Sequence, residues 1–125
     1  MGTTTSLALG PGVDAVPLAR AFVTRTLSGC DEDTVEAAQL VVTELVTNAV
    51  AHGRSPAHVQ ARLLDGAVRV EVFDAEPSGP AMNASPDASG GYGLRIVDGI
   101  ATRWGWEPLP DGKVVWAEVP RPSRG

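Results

Sequence analysis

Three polar residues recur at a spacing of four in an otherwise apolar segment: Glu44, Asn48 and His52. Four residues turn an α-helix by roughly 400°, so this spacing places the three side chains along one helix face. An Asn amide oxygen suits Mg²⁺, which takes further ligands from waters and phosphates, and a Glu one turn earlier can deprotonate a nucleophile. This helix face is therefore predicted to form one side of a site that binds a metal-bridged polyphosphate. The same spacing also fits a solvated helix face, with Asn48 exposed and His52 as a C-terminal cap.

Two further features stand at the ends of predicted elements. Asp74 follows an apolar strand, where a carboxylate can accept a hydrogen bond from an exocyclic amine such as that of adenine, or can simply start a turn. The run Gly90-Gly91-Tyr92-Gly93-Leu94 leads into a predicted helix over about 93–101. Backbone N–H groups at a helix start bind anions, and the same glycines also fit the hinge of a flexible lid.

The elements that must position these residues follow from periodicity and turn signals. A short edge strand is expected at 4–9. The other expected elements are helices over 14–28 and 33–52, a hairpin turning at 65–66, a loop over 75–91, the helix over 93–101 and a second hairpin turning at 111–112. The order β-α-α-β-β-loop-α-β-β predicts an α/β (α+β) two-layer sandwich. Its sheet would be mixed, largely antiparallel and covered on one face by about three helices.

Capping and turn residues give these elements finer detail. Asp14 is expected to cap the first helix, and the spacing of Asp33 and Glu36 is that of a capping box. Asp65-Gly66 is typical of a type I′ turn. Alternate Trp104 and Trp106 fit a core strand better than an interface. The residues expected to face the core from the two helices are Ala15, Leu18, Ala19, Phe22, Leu40, Val41, Leu45 and Ala49.

Composition limits the classes of function. The chain has 125 residues, 43% hydrophobic residues and a net charge of −5, all globular values. Direct binding of nucleic acid is not expected, because the ten Lys and Arg residues are scattered. The single Cys30, the absence of an apolar run long enough for a bilayer and the lack of signal-peptide features favour a cytoplasmic location without membrane association.

Taken together, the Glu44-x-x-x-Asn48-x-x-x-His52 segment, Asp74 and the late Gly-x-Gly resemble the Bergerat ATP-binding fold of gyrase, Hsp90 and histidine kinases. Within that group the chain most resembles the small anti-sigma-factor serine/threonine kinases of partner-switching systems. The resemblance covers about residues 13–120 and implies one ATP-binding domain. Residues 1–12 would precede this domain, residues 75–91 would form its lid and residues 121–125 would be a disordered tail.

The resemblance implies roles at the matching positions. Asn48 would hold Mg²⁺, and Glu44 would be the catalytic base for a substrate serine. Asp74 would select adenine. The remaining cofactor-binding residues would be His52 on the helix and Gly91, Tyr92, Gly93 and Leu94 in the box that closes over the phosphates. The implied cofactors are ATP and Mg²⁺.

The chain departs from the family pattern at two places. The first glycine box, Asp-x-Gly-x-Gly, reads Asp74-Ala75-Glu76-Pro77-Ser78 here and lacks both glycines. Ser89 stands where kinase members have an Arg that stabilises the transferring phosphate. Two hypotheses follow. One is a kinase that phosphorylates an anti-sigma-factor antagonist of the STAS type. The other is a weak or inactive ATP-binding module that acts by stoichiometric binding. A sigma factor is a further implied partner, and the family implies a homodimer.

Overall fold

The computed structural model of the protein describes residues 3–9, 14–51, 56–75 and 91–122. The observed element order is the one expected from the sequence. The elements are β1 (Thr3–Ala8), α1 (Ala15–Thr26), α2 (Glu32–Ala51), β2 (Pro56–Leu64), β3 (Ala67–Asp74), α3 (Gly91–Ile100), β4 (Arg103–Leu109) and β5 (Gly112–Pro120).

The strands form one five-stranded sheet in the order β1-β2-β3-β5-β4. All four pairings between these described strands are antiparallel, so the sheet is antiparallel rather than mixed. Strand β3 is central because β5 returns beside it, while β4 forms the edge opposite β1. Three helices pack with this sheet, which confirms the two-layer α+β sandwich.

Alternation along the strands determines which face of the sheet is covered. In β3, Val68, Val70 and Val72 are at most 1% exposed and pack under the helices. Successive strand residues point to opposite faces, so Arg69 and Glu71 lie on the other side. The core beneath the helices continues through Val59, Ala61, Val115, Ala117 and Val119 from the sheet and Phe22, Val41, Leu45, Val46 and Val97 from the helices.

The helices correct several details of the sequence-based expectations. Asp14 stands at the N-cap of α1, but its side chain makes no capping hydrogen bond. Helix α2 begins at Glu32, so Asp33 lies inside its first turn and does not form the expected capping box. Leu18 and Leu40 are each 45% exposed rather than buried. They lie at the margins of the apolar stripes, where periodicity does not reveal how far the neighbouring element reaches.

The β2–β3 hairpin also differs from its prediction. A type I′ turn requires positive φ at both central residues. Gly66 has a φ of +81°, but no described residue other than glycine has positive φ, so Asp65-Gly66 is not such a turn. In the second hairpin Leu109 pairs with Gly112, so the turn consists of Pro110 and Asp111. Gly112 is therefore the first residue of β5 rather than part of the turn.

The face of the sheet without helices carries a charged network. The Glu118 carboxylate accepts hydrogen bonds from Arg103 at 2.9 Å and from Arg69 at 3.0 Å. The Arg69 guanidinium also lies 4.0 Å from the centre of the Trp116 ring and pairs with Glu71. The hydrogen bond from Arg103, with a smaller contribution from Arg69, lowers the pKa of Glu118 below its ordinary value. The network therefore holds Glu118 as a carboxylate.

The two tryptophans of β4 have different environments. Trp104 packs against the core, and its indole nitrogen donates a 2.9 Å hydrogen bond to Asp98 of α3. Trp106 is 41% exposed, so the expectation of a core position is wrong for this residue. The difference arises because β4 is an edge strand with no outer neighbour among the described strands, so burial there depends on contact with α3, which Trp104 makes through Asp98. No helix in the described ranges has the length and apolar character needed to span a membrane.

Candidate functional site

Helix α2 presents Glu44 and Asn48 one turn apart at the margin of its buried face. Asn48 is 9% exposed and Glu44 is partly buried, between core neighbours such as Leu45 and Ala49. The alternative of a solvated stripe with an exposed Asn48 is therefore wrong. No side chain in the described ranges hydrogen-bonds the Asn48 amide. His52 and residues 53–55 lie outside the described residues.

Asp74 is the last residue of β3 and is 5% exposed. It shares the parity of Val70 and Val72, so its side chain points to the face that the helices cover. Its strand register aligns it with Pro56 of β2 on one side and with Lys113 of β5 on the other. A carboxylate thus lies beneath the helices, at the centre of one end of the sheet.

The partner of Asp74 is a residue that sequence reasoning missed. The Lys113 ammonium lies 3.1 Å from Asp74 Oδ1, and both side chains are 2% exposed. The family resemblance assigned no role to this lysine, and the two paired residues are 39 positions apart in the sequence. Only the alternation of β5, with Lys113 in phase with Val115 and Ala117, could have indicated that this lysine points inward.

Chain connectivity places Asn48 and Asp74 at the same end of the molecule. Helix α2 ends at Ala51, and β2 begins five residues later at Pro56, which pairs with Asp74. Helix α2 also packs on β3. The last turn of α2 and the last residue of β3 therefore border the same space, as a shared ligand would require.

Helix α3 runs back toward the same end. The Thr102 N–H donates to the Glu118 carbonyl, which anchors the C-terminal end of α3 at the opposite end of the sheet. The Trp104–Asp98 hydrogen bond shows that α3 and β4 run in opposite directions from that point. The start of α3 at Gly91 consequently lies toward the Asp74 end of the sheet. It is about 15 Å from the C-terminal end of the helix, which is the length of ten helical residues. The helix includes Gly91–Leu94, although the side chains of these four residues are outside the described set.

The donor set agrees with a magnesium ion held through phosphates. No group of three or more His, Cys, Asp or Glu side chains in the described ranges could enclose a metal ion. Mg²⁺ commonly takes only one or two protein ligands and completes its shell with waters and substrate phosphates. The buried Asn48 amide has an oxygen of the type that such a site uses, and backbone N–H groups at a helix start such as that of α3 are a type of group that binds anions.

A cavity of about 460 Å³ adjoins Asp74 from the other side of the sheet. Its walls include the stacked rings of His58 and Phe73, whose centroids are 4.1 Å apart, and the turn at Pro110 and Asp111. His58 and Phe73 point to the face without helices, so this cavity is distinct from the space beside α2. A second cavity, of about 310 Å³, lies at the opposite end near Cys30 and Arg121.

Comparison with known families agrees with this arrangement. Residues 11–119 match the family model described as the histidine kinase-like ATPase domain. The match covers most of the chain, so the protein belongs to the histidine kinase-like ATPase domain family. Membership in this family implies ATP binding. No curated protein matches the chain.

Among solved structures, the chain is similar to the crystal structure of the RsbU and RsbW domains of Rv1364c from Mycobacterium tuberculosis. The TM-score is 0.72 at 23% sequence identity, over 98% of this chain and 33% of that one. The chain thus spans about a third of the length of that protein. At this level of identity the likeness establishes the shared fold.

Proposed function

We propose that the protein is an anti-sigma-factor-like regulatory serine/threonine kinase that binds Mg·ATP and phosphorylates an anti-sigma-factor antagonist of the STAS type. The observation that carries the proposal is the convergence of Asn48, Asp74 and the start of α3 at one end of the sheet. The three features supply groups for a metal, a base amine and phosphates. The similarity to a structure containing an RsbW domain supports the regulatory assignment.

Each residue has a chemical role in this proposal. Asp74 accepts a hydrogen bond from the adenine amine, and the Asn48 amide oxygen is a ligand for Mg²⁺, which neutralises phosphate charge when bound. Glu44 accepts the proton of the substrate serine hydroxyl. The serine oxygen then forms a bond to the γ-phosphorus, the bond from that phosphorus to the β,γ-bridging oxygen breaks, and ADP leaves. His52, Tyr92 and Leu94 complete the nucleotide contacts.

A second candidate is a regulatory module that binds ATP without transferring phosphate. The replacement of both glycines after Asp74 and the Ser89 that stands in place of an arginine favour it. Loss of an arginine that stabilises the transition state can reduce the rate on the order of 10³-fold or more. The retained Glu44 favours the kinase, because binding alone does not require a carboxylate beside the metal. In either case a sigma factor is the proposed regulatory target, and a homodimer is the proposed assembly.

Nucleotide binding is tested by the change in melting temperature on adding Mg·ATP. We expect a rise for the wild-type protein and no rise for Asn48→Ala. The exposed neighbour Thr47 provides a matched control, and Thr47→Ala should retain the rise. No shift of the wild-type protein at millimolar Mg·ATP would refute the nucleotide-binding proposal.

Phosphoryl transfer is tested separately with γ-labelled ATP and a STAS-type antagonist. Labelling of the antagonist that is lost in Glu44→Ala, while the thermal shift with Mg·ATP remains, would establish the kinase. An unlabelled antagonist in the presence of a normal thermal shift would instead identify the non-catalytic binding module.

A further inference from the structure

The buried ion pair of Asp74 and Lys113 interrupts an otherwise apolar row. On the covered face of β3 and β5, the preceding cross-strand pairs are Val68–Val119, Val70–Ala117 and Val72–Val115. The next pair in the same register is Asp74–Lys113. Lys113 is among the largest of the fully buried side chains in the described ranges. Two charges therefore occupy a position where the pattern of the sheet would accommodate two aliphatic residues.

Packing alone does not account for this pair. Removing two charges from water is costly, and apolar residues of similar volume are often equally or more stabilising at such positions. The charges are also not shared with the network of Arg69, Arg103 and Glu118, which lies on the opposite face. The pair stands instead at the end of the sheet where Asn48 and the start of α3 converge.

The contact has a direct effect on what Asp74 can recognise. A carboxylate paired with an ammonium is charged, and a charged carboxylate only accepts hydrogen bonds, at about four lone-pair sites. The 3.1 Å contact between Lys113 Nζ and Asp74 Oδ1 also restricts rotation of the carboxylate plane. An acceptor with a fixed plane distinguishes a base that carries an exocyclic amine from one that lacks it.

We propose that Lys113 is a positioning residue for base recognition, and that the preference of the site for an amine-bearing purine depends on its ion pair with Asp74. This inference rests on the proposed binding of ATP. Lys113 acts through Asp74 in this scheme, so its effect should concern the base and not the phosphates, which are bound at Asn48 and at the start of α3.

The test compares the affinity for Mg·ATP with that for the Mg complex of purine riboside triphosphate, which lacks the amine. Isothermal titration of the wild-type protein should show a preference for ATP of roughly 10-fold or more, as expected for a hydrogen bond to a charged group. Lys113→Met and Asp74→Asn should both reduce the ratio of the two affinities to about one. Lys113→Gln retains an N–H donor and should give an intermediate ratio.

The ratio separates this role from a purely structural one. A structural defect would weaken both nucleotides equally, so a wild-type ratio in Lys113→Met, alongside a lost ratio in Asp74→Asn, would overturn the inference. If Lys113→Met does not fold, as judged by circular dichroism, a wild-type ratio in Lys113→Gln would overturn it equally. A wild-type protein that binds both nucleotides without preference refutes the inference and the role of Asp74 in base recognition, but leaves nucleotide binding and phosphoryl transfer standing. A wild-type protein that binds neither refutes the proposed function too.

Discussion

The backbone of Gly112 lies directly against Asp74. A Cβ atom at Gly112 would collide with the Asp74 carbonyl oxygen and would stand 2.7 Å from the Cα atom of Ala75. Both obstructions are backbone atoms, which cannot move aside as a side chain can. The start of β5 therefore reaches Asp74 only because residue 112 has no side chain.

Because one of the two strands must shift to accept a methyl group, Gly112→Ala should lower the free energy of unfolding by about 3 kcal/mol or more. Urea unfolding followed by circular dichroism measures the change. Gly99→Ala is the matched control, because a Cβ there meets nothing within 4 Å and α3 gains helix propensity. It should stabilise by about 0.5–1 kcal/mol. Equal effects of the two substitutions would contradict the close approach.

Helix α2 offers a matched pair of leucines for testing the core. Leu45 is 2% exposed, whereas Leu40 on the same helix is 45% exposed. Leu45→Ala should destabilise the protein by about 2–5 kcal/mol, because it removes buried methyl groups and leaves a cavity. Leu40→Ala should change stability by only about 0.5 kcal/mol. Thermal or urea unfolding distinguishes these outcomes, and a large loss from Leu40→Ala would show that its face is covered in solution.

The first turn of α2 is tied to the end of β5 by one side-chain hydrogen bond. Thr34 is 2% exposed, and its hydroxyl donates to the Pro120 carbonyl at 3.1 Å. Thr34→Val keeps the shape but removes the donor, and should lower the free energy of unfolding by about 1 kcal/mol. Thr34→Ser keeps the donor and serves as the control for the hydrogen bond. A smaller loss for Val than for Ser would show that the methyl group matters more than this bond.

The pH dependence of stability should reflect Glu118. Its pKa in the folded protein is lowered, first by the hydrogen bond from Arg103, so its contribution is present above the unfolded pKa. The contribution is lost as the pH falls through the folded pKa. Glu118→Gln should therefore destabilise the protein at pH 7 and make less difference near pH 3. Urea unfolding at the two pH values measures this.

Two comparisons check the origin of that effect. Arg103 is 66% exposed at its side chain, so high salt should reduce the difference in stability between the wild-type protein and Glu118→Gln at pH 7. Glu107→Gln, an exposed position on the edge strand β4, should have little effect at either pH. A destabilisation by Glu118→Gln that is the same at pH 3 and pH 7 would exclude the ion pair as its cause.

Periodicity and turn residues were sufficient to predict the elements and their order. The buried side of β3 is indicated by its valines at alternate positions. The buried side of α2 is indicated by the apolar residues along the helix. The predictions of burial that were wrong concern apolar residues at the margins of their elements. Three apolar residues are exposed: Leu18, Leu40 and Trp106. Their exposure depends on how far the neighbouring elements extend, which a local sequence pattern does not determine.

The candidate site divides in the same way. The spacing of Glu44 and Asn48 determined by itself that they share a helix face, because the helical repeat is a local property. The burial of Asn48, its placement at the same end as Asp74 and the Asp74–Lys113 ion pair were decided only by the tertiary structure. Strands β3 and β5 pair directly although α3 and β4 lie between them in the sequence. The register of this pairing depends on the packing of the whole sheet rather than on neighbouring residues.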